Sequence, residues 1–327
     1  MPMTPITTQK ELAAFCKAVA QEEFLTVDTE FIRERTYYPR LCLIQIAGSE
    51  TSAIIDPLAK DIDLTPVMEL LHNPKIVKVF HAARQDIEIF YLLSKKIPAP
   101  IFDTQVAAAV CGFGESASYE TLVNKIAGKE IDKSSRFTDW SARPLSEKQL
   151  SYALSDVTHL RVIYEKLKDK IEKAGRTTWI AEEHVYLSDP ALYDANPDEA
   201  WKRLRVGNLR PKHLAVLREL ARWREQEAIK HDVPRGRIIK DDVLIELALS
   251  APRKEADLSR IRSIGNISSS RAAAIIACVE AALALPASDY PQSEKHRKLP
   301  MNITGALAML QLLLKVSADK HDVSASM

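Results

Sequence analysis

No stretch of this chain approaches the ~20 consecutive apolar residues that span a bilayer, so no membrane-crossing helix is expected. Cysteine is scarce: Cys16, Cys42, Cys111 and Cys278 stand far apart among apolar neighbours. No C-x-x-C pair occurs, which excludes a thiolate zinc site or a dithiol redox centre of that type. Reduced thiols in or near a core are the expectation, and they suit the cytoplasm. The opening residues, MPMTPITTQKEL, lack a basic segment followed by an apolar run, so no secretory leader is expected. Net charge is scarce as well, only +1 over 327 residues.

That near-neutrality conceals two unlike halves. Residues 1–196 carry 23 Lys+Arg against 28 Asp+Glu, whereas residues 197–298 carry 20 against 14. An acidic half beside a basic half suits a carboxylate-rich metal site joined to a module that meets polyanions. Composition alone fits an ordinary solvated surface equally well. Apolar content of 46% with 27% charged residues is that of a soluble globular protein. The length exceeds the usual single-domain range, so two domains are expected, one larger than the other.

Thr8-x-x-Glu11 reads as a capping box opening a helix over 8–20, with Leu12, Phe15, Cys16 and Val19 at helical spacing. FLTVDTEFI (24–32), LCLIQIA (41–47) and SAIID (52–56) are rich in β-formers, and the first two, joined through YYPR, are expected to pair like a hairpin. LTPVMELLHN (64–73) has a helical pattern, IVKVF (76–80) is a short apolar strand, and Ile87, Phe90 and Tyr91 begin another amphipathic helix. IFDT (101–104) supplies a last strand. Ser146-x-x-Gln149, just after Pro144, opens a long helix that ends near Gly175. The first domain, residues 1–190, is therefore expected to be α/β, a mixed sheet covered by helices.

A connecting segment at 191–206 includes the helix-start signature Asn196-Pro-Asp-Glu, and the pattern beyond it is all-helical over 207–290. LAVL (214–217) with KHDV (230–233) recurs as LAML (307–310) with KHDV (320–323), offset by 93 and 90 residues. The echo reads as a degenerate repeat of a helical unit of ~90 residues. Residues 291–327 then form a linker and an incomplete second copy. Half a bundle cannot bury its own apolar faces, so ALAML (306–310) and LLLKV (312–316) are expected to pack on the first copy or stay partly disordered.

Asp28 and Glu30 lie two apart on the expected first strand, where alternation puts both carboxylates on one face and Leu25, Val27 and Phe31 on the other. Alone, such a pair is commonly structural or solvated. Tyr152 and Asp156 are four apart in the helix that Ser146 opens, on one face a turn from each other. Asp86 follows IVKVF and HAARQ, near a helix start whose dipole by itself favours an acid.

In order and in context, VDTEF on a strand, VFHAARQDIEIF across a strand-to-helix junction and YALSDVTHL within a helix resemble the tyrosine-bearing branch of the DEDD exonuclease superfamily. DTEFIRERTYYPRLCLIQIA, FTDWSARPLSEKQLSYALSDVTHL and the helical module after them narrow the resemblance to the ribonuclease D family over residues ~20–290. The resemblance implies a ribonuclease H-like mixed sheet flanked by helices, followed by an all-α bundle of the helicase and RNase D C-terminal (HRDC) type. It also implies 3'-to-5' exonuclease chemistry with two Mg2+ or Mn2+ ions ~4 Å apart, one orienting the attacking water and the other stabilising the leaving 3'-oxygen. Asp28 would bridge both ions, Glu30 and Asp156 would hold the nucleophile-side ion, and Asp86 the other. Tyr152 would position the water, and the product would be a nucleoside 5'-monophosphate.

Physical chemistry agrees with that assignment. Clustered carboxylates raise one another's pKa unless cations neutralise them, and hard oxygen ligands suit Mg2+ better than zinc. The Tyr152 phenol, with an unperturbed pKa near ~10, suits orientation of the water better than its deprotonation.

Several neighbours offer substrate contacts, each with a structural alternative. His81 would face substrate phosphate or serve the strand end. Trp140 and Arg143 would meet the terminal nucleotides or lock the loop before the long helix. Phe31 would abut the terminal base or join the core, and Gln45 would mark the site floor or be a hydrogen-bonded core amide. In the helical module, Arg218, Arg222, Arg235 and Arg237 are candidate phosphate contacts. No base-reading motif is present, so shape and a free 3' end are expected to govern selectivity. The expected partner is RNA with a free 3' end, with tRNA precursors as the family's substrate class. The carboxylates do not distinguish a DNA-directed exonuclease of the same superfamily. A catalytically silent RNA-binding scaffold is the rival from another class, and the presence of all five site residues speaks against it. Nothing in the sequence bears on oligomeric state.

Overall fold

A computed structural model of the chain describes residues 4–136, 138–261, 264–265, 267–292 and 303–325. Two compact units emerge: residues up to 32 with 40–194 and 303–325, and residues 33–39 with 195–292. No described helix is long and apolar enough to cross a membrane.

The first unit opens with α1 (Gln9–Val19), where the Thr8 hydroxyl accepts the Glu11 N–H and the four expected apolar residues are buried. β1 (Phe24–Ile32), β2 (Arg40–Ala47) and β3 (Ser52–Ile55) form an antiparallel run. α2 (Thr65–Leu71), β4 (Val77–Phe80), α3 (Arg84–Ser94) and β5 (Ile101–Asp103) follow, and the two new strands join in parallel on the other side of β1. The strand order β3-β2-β1-β4-β5 makes β1 central. α4 (Thr104–Val110), α5 (Tyr119–Leu122), α6 (Glu147–Lys173) and α7 (Thr177–Leu187) complete the run.

Strand lengths leave the end of β1 open on one side. β4 pairs with β1 only over Phe24–Thr26, whereas β2 accompanies it to Ile32. Past Thr26, β1 has lost its parallel neighbour, at the carboxyl ends of the parallel strands where open α/β sheets place their sites. One sheet face packs Leu25, Val27, Ile44 and Ile46 against Leu12, Val67, Ile87 and Phe90 from α1, α2 and α3. α6 covers the other, where Leu43, Ile54, Leu150 and Ala153 cluster beside Val79, Leu160 and Tyr164. Each fully buried side chain of this size contributes roughly 1.5–3 kcal/mol. Lys78, in the middle of IVKVF, is also fully buried. Its Nζ donates to the carbonyls of Asn73 (2.7 Å), Ile76 (2.6 Å) and Ala99, which is what lets an ammonium stay there.

The helical unit comprises α8 (Pro211–Lys230), α9 (Arg235–Ile238), α10 (Asp241–Ser250), α11 (Glu255–Leu258) and α12 (Ser269–Ala284). Val216, Leu217 and Leu220 of α8 share a core with Leu244, Leu247, Ile275 and Val279. Tyr37 belongs to the same core, because residues 33–39 are part of this unit rather than a free hairpin connection. Its hydroxyl donates to Glu225, which is fully buried and also accepts from Arg235 and Arg203. Burial works to raise the Glu225 pKa, but the hydrogen bonds from Arg235 and Tyr37 outweigh it and hold the group below its ordinary value.

α13 (Thr304–His321) corrects an expectation: it belongs to the α/β unit, not to the first helical copy. Its end is held by Lys170 on the Asp322 carboxylate (2.7 Å) and by the Ser324 N–H on the Ala109 carbonyl (2.9 Å). Leu307, Met309, Leu310 and Leu313 are exposed, whereas Leu214, Val216, Leu217 and Leu220, 93 residues earlier, are buried. α10 and α12 pack against α8. The repeated KHDV nevertheless folds alike in both copies. Asp232 and Asp322 adopt left-handed φ values of 46° and 52°, and the N–H groups of Val233 and Val323 bond back to Ala228 and Ala318.

Candidate active site

β1 alternation puts Asp28 and Glu30 on the face that α6 covers, and α6 returns Tyr152 and Asp156 to it. The start of α6 is secured as its sequence demands: the Ser146 side chain takes the Gln149 N–H, and the Gln149 side chain takes the Ser146 N–H. Two further bonds hold the helix at the level of Asp156. The Thr26 hydroxyl lies 2.8 Å from the Val157 carbonyl, and the Tyr119 phenol donates to the Asp156 carbonyl at 2.5 Å. Carboxylate oxygens of Asp28, Glu30 and Asp156 then all lie within 4.8 Å of one another.

Asp86, in the first turn of α3, stands outside that trio and is tied to it by Thr29, whose hydroxyl donates to Asp86 Oδ1. The turn before α3 passes through Ala82 at φ 56°. It is held by the buried Asp103 carboxylate, which accepts the N–H groups of Ala82 (3.0 Å) and Ala83 (2.8 Å).

Burial and mutual repulsion dominate the electrostatics. Desolvation pushes Asp28 up to about 7, and desolvation with the Asp28 charge pushes Asp156 up to about 8. Desolvation, then Asp28, Asp156 and Asp86, take Glu30 to about 10, and Asp86 is raised by desolvation and Asp28. Arg136 is the cation whose charge opposes the rise at both Glu30 and Asp156. Burial and the surrounding acids also hold the Tyr152 phenol above its ordinary range, so it stays protonated at neutral pH. Asp156 Oδ1 is buried with no hydrogen-bond partner among the described residues. A cluster of hard oxygen donors with an orphaned carboxylate oxygen fits a divalent cation of the Mg2+ or Mn2+ kind.

A pH dependence follows. Acids with raised folded pKa contribute stability that is fully present below their ordinary value near ~4 and is lost as pH climbs through about 7 and about 8. Cations compete with those protons. The half-buried His81 and His184 have lowered pKa values and act in the opposite direction, so the informative quantity is a difference. The rise in melting temperature produced by Mn2+ is expected to grow between pH 5 and pH 8. An increment independent of pH would count against these acids as ligands.

The remaining expected residues divide. His81 makes scaffold contacts: Nδ1 meets Thr104 Oγ1 at 3.0 Å and the ring packs on Tyr119 at 5.4 Å. Trp140, only 2% exposed, lies in the core beneath Tyr152, with ring centroids 6.1 Å apart, so it is not a stacking platform. Arg143 is the loop lock: its guanidinium grips Asp56 at 2.6 and 2.7 Å and donates to the carbonyls of Cys42, Trp140 and Ala142. Phe31 packs partly buried against the apolar core. In the helical unit Arg235 is committed to Glu225, Arg222 pairs with Asp198 (2.8 Å) and Arg218 with Glu219 (3.1 Å), while Arg237 is exposed. The Gln45 side chain is buried with no hydrogen-bond partner among the described residues. Thr29, Tyr119, Asp103 and Arg136 were not singled out by any sequence pattern.

An acidic cluster on a mixed sheet, followed by a helical module, suits a metal-dependent nuclease, and family models agree. The model described as 3'-5' exonuclease matches residues 3–172, and the HRDC domain model matches residues 213–279. Proteins named ribonuclease D from Bartonella henselae and Jannaschia sp. are each 46% identical to the chain, over 324 and 334 residues. Those alignments cover 98% and 100% of this chain and 80% and 86% of the relatives. The crystal structure of Escherichia coli RNase D, described as an exoribonuclease involved in structured RNA processing, matches with a TM-score of 0.88 at 33% identity, covering 99% of this chain and 87% of that one. The catalytic core of RRP6 from Trypanosoma brucei, at 24% identity and a TM-score of 0.63, covering 87% of this chain and 81% of that one, shares the fold. The chain belongs to the ribonuclease D family and is a 3'-5' exoribonuclease, a phosphodiester hydrolase.

Proposed function

We propose that the enzyme trims structured RNA from free 3' ends, with tRNA precursors as the substrate class, by two-metal-ion hydrolysis that releases nucleoside 5'-monophosphates. The observation that carries this reading is the convergence of Asp28, Glu30 and Asp156 within 4.8 Å, with Asp86 linked to them through Thr29. Asp28 would be shared by both ions, Glu30 and Asp156 would hold one, and Asp86 the other. Bound there, Mg2+ or Mn2+ supplies positive charge to the phosphate and its leaving oxygen. Tyr152 holds and orients the attacking water through its hydroxyl, one helical turn from Asp156. Thr29, Tyr119 and Asp103 keep the acids in register. Phe31 would abut the terminal base with the edge its core packing leaves uncovered, and Arg218, Arg222 and Arg237 would be the phosphate contacts in the helical unit. The cytoplasm is the compartment that suits four free thiols.

Incubating a 3'-extended tRNA with the protein and Mg2+ is expected to give a ladder that shortens from the 3' end with release of mononucleotides. RNA binding without any mononucleotide would favour the silent scaffold instead. The substrate class has its own test, in oligonucleotides that differ only in ribose or deoxyribose at the 3' terminus. The ribose end is expected to be removed faster, and the reverse order would assign the enzyme to DNA.

A further inference from the structure

Gln45 sits in the middle of β2, fully buried, and neither Oε1 nor Nε2 has a hydrogen-bond partner among the described residues. Leaving a buried polar group unpaired is costly, and an apolar side chain of similar size would not carry that cost. Its surroundings point to a use. Across the sheet the row reads Ile54, Gln45, Asp28. Directly opposed residues of an antiparallel pair share a face with Cβ atoms ~4.5–5.5 Å apart, so the Gln45 and Asp28 side chains leave the sheet side by side. This is the face that α6 covers, where Thr26, one pair further along, is satisfied by the Val157 carbonyl. The covering helix contributes a second buried orphan, Asp156 Oδ1. Unpaired polar atoms on the sheet and on the helix thus flank Asp28.

We propose that Gln45 is a positioning residue for the metal site, its Nε2–H donating to the Asp28 carboxylate when cations occupy Asp28, Glu30 and Asp156. A carboxylate has more lone pairs than one cation contact uses, and a fixed donor behind it decides which oxygen faces forward. The proposal rests on reading those three acids as ligands.

Mn2+ titration calorimetry on the full chain, with thermal unfolding in chelator, tests it in Gln45→Leu and Gln45→Met. Both variants are expected to melt without metal at the parent temperature or above, because the orphan amide is gone. Both are expected to bind Mn2+ about 10–100-fold more weakly, the usual effect of losing a group that orients a ligand. Unchanged Mn2+ affinity in either folded variant overturns the proposal, whatever the melting temperature does. If Gln45→Leu does not fold, Gln45→Met, closer in length, carries the measurement. A parent chain that takes up no Mn2+ overturns the metal-site reading as well, and so differs from an affinity that the substitution leaves alone.

Discussion

Asp28→Ala is expected to lower turnover by about 10³-fold or more, some 4 kcal/mol of barrier, while the fold survives. Asp28 is the hub of the site: its carboxylate lies within 4.8 Å of both Glu30 and Asp156, and its charge raises Glu30, Asp86 and Asp156 alike. Without it the remaining acids have no common member through which two cations can be held. The metal-free protein is expected to keep its fold, since desolvation already makes the charged form of Asp28 costly. Mononucleotide release with Mg2+, measured beside melting in chelator, separates the two effects. Turnover within tenfold of the parent would contradict the hub role.

Tyr152→Phe is expected to slow turnover by about 10²-fold with Mn2+ affinity unchanged, because a misplaced nucleophile alone can cost that much. The substitution keeps the ring that packs on Trp140 and removes only the hydroxyl. Its phenol is held above the ordinary range by burial and by Asp156, Glu30 and Asp28, so the hydroxyl positions rather than deprotonates. Turnover equal to the parent would reject water positioning, and a parallel fall in Mn2+ affinity would make Tyr152 a support for Asp156 instead.

Local periodicity made much of this readable. Two acids on alternate positions of FLTVDTEFI must share a face, Tyr152 and Asp156 must share a helical turn, and the Ser146–Gln149 box starts α6 where its residues say. What escaped depends on partners distant in the chain. Tyr37 is buried because its hydroxyl meets Glu225, 188 residues away, and nothing in YYPR announces that. Arg143 was as consistent with a nucleotide as with a lock until Asp56, 87 positions earlier, closed on it. Thr29 was hidden by its neighbours: lying between the two acids, it faces away from them and toward Asp86. Lys78 broke an apolar strand on paper, yet three carbonyls contributed by flanking loops make it an interior residue.

The twin KHDV endings show a helix terminator that travels independently of its destination. In each copy the aspartate turns left-handed and the following valine ties back to an alanine. Beyond that the carboxylates diverge: Asp232 receives the backbone N–H groups of Tyr37 and Tyr38, and Asp322 receives an ammonium from Lys170. The stop signal is written in local backbone geometry, and the docking address in whichever donor happens to lie beyond it. Two helices that carry this tag share one ending and differ in what that ending is plugged into.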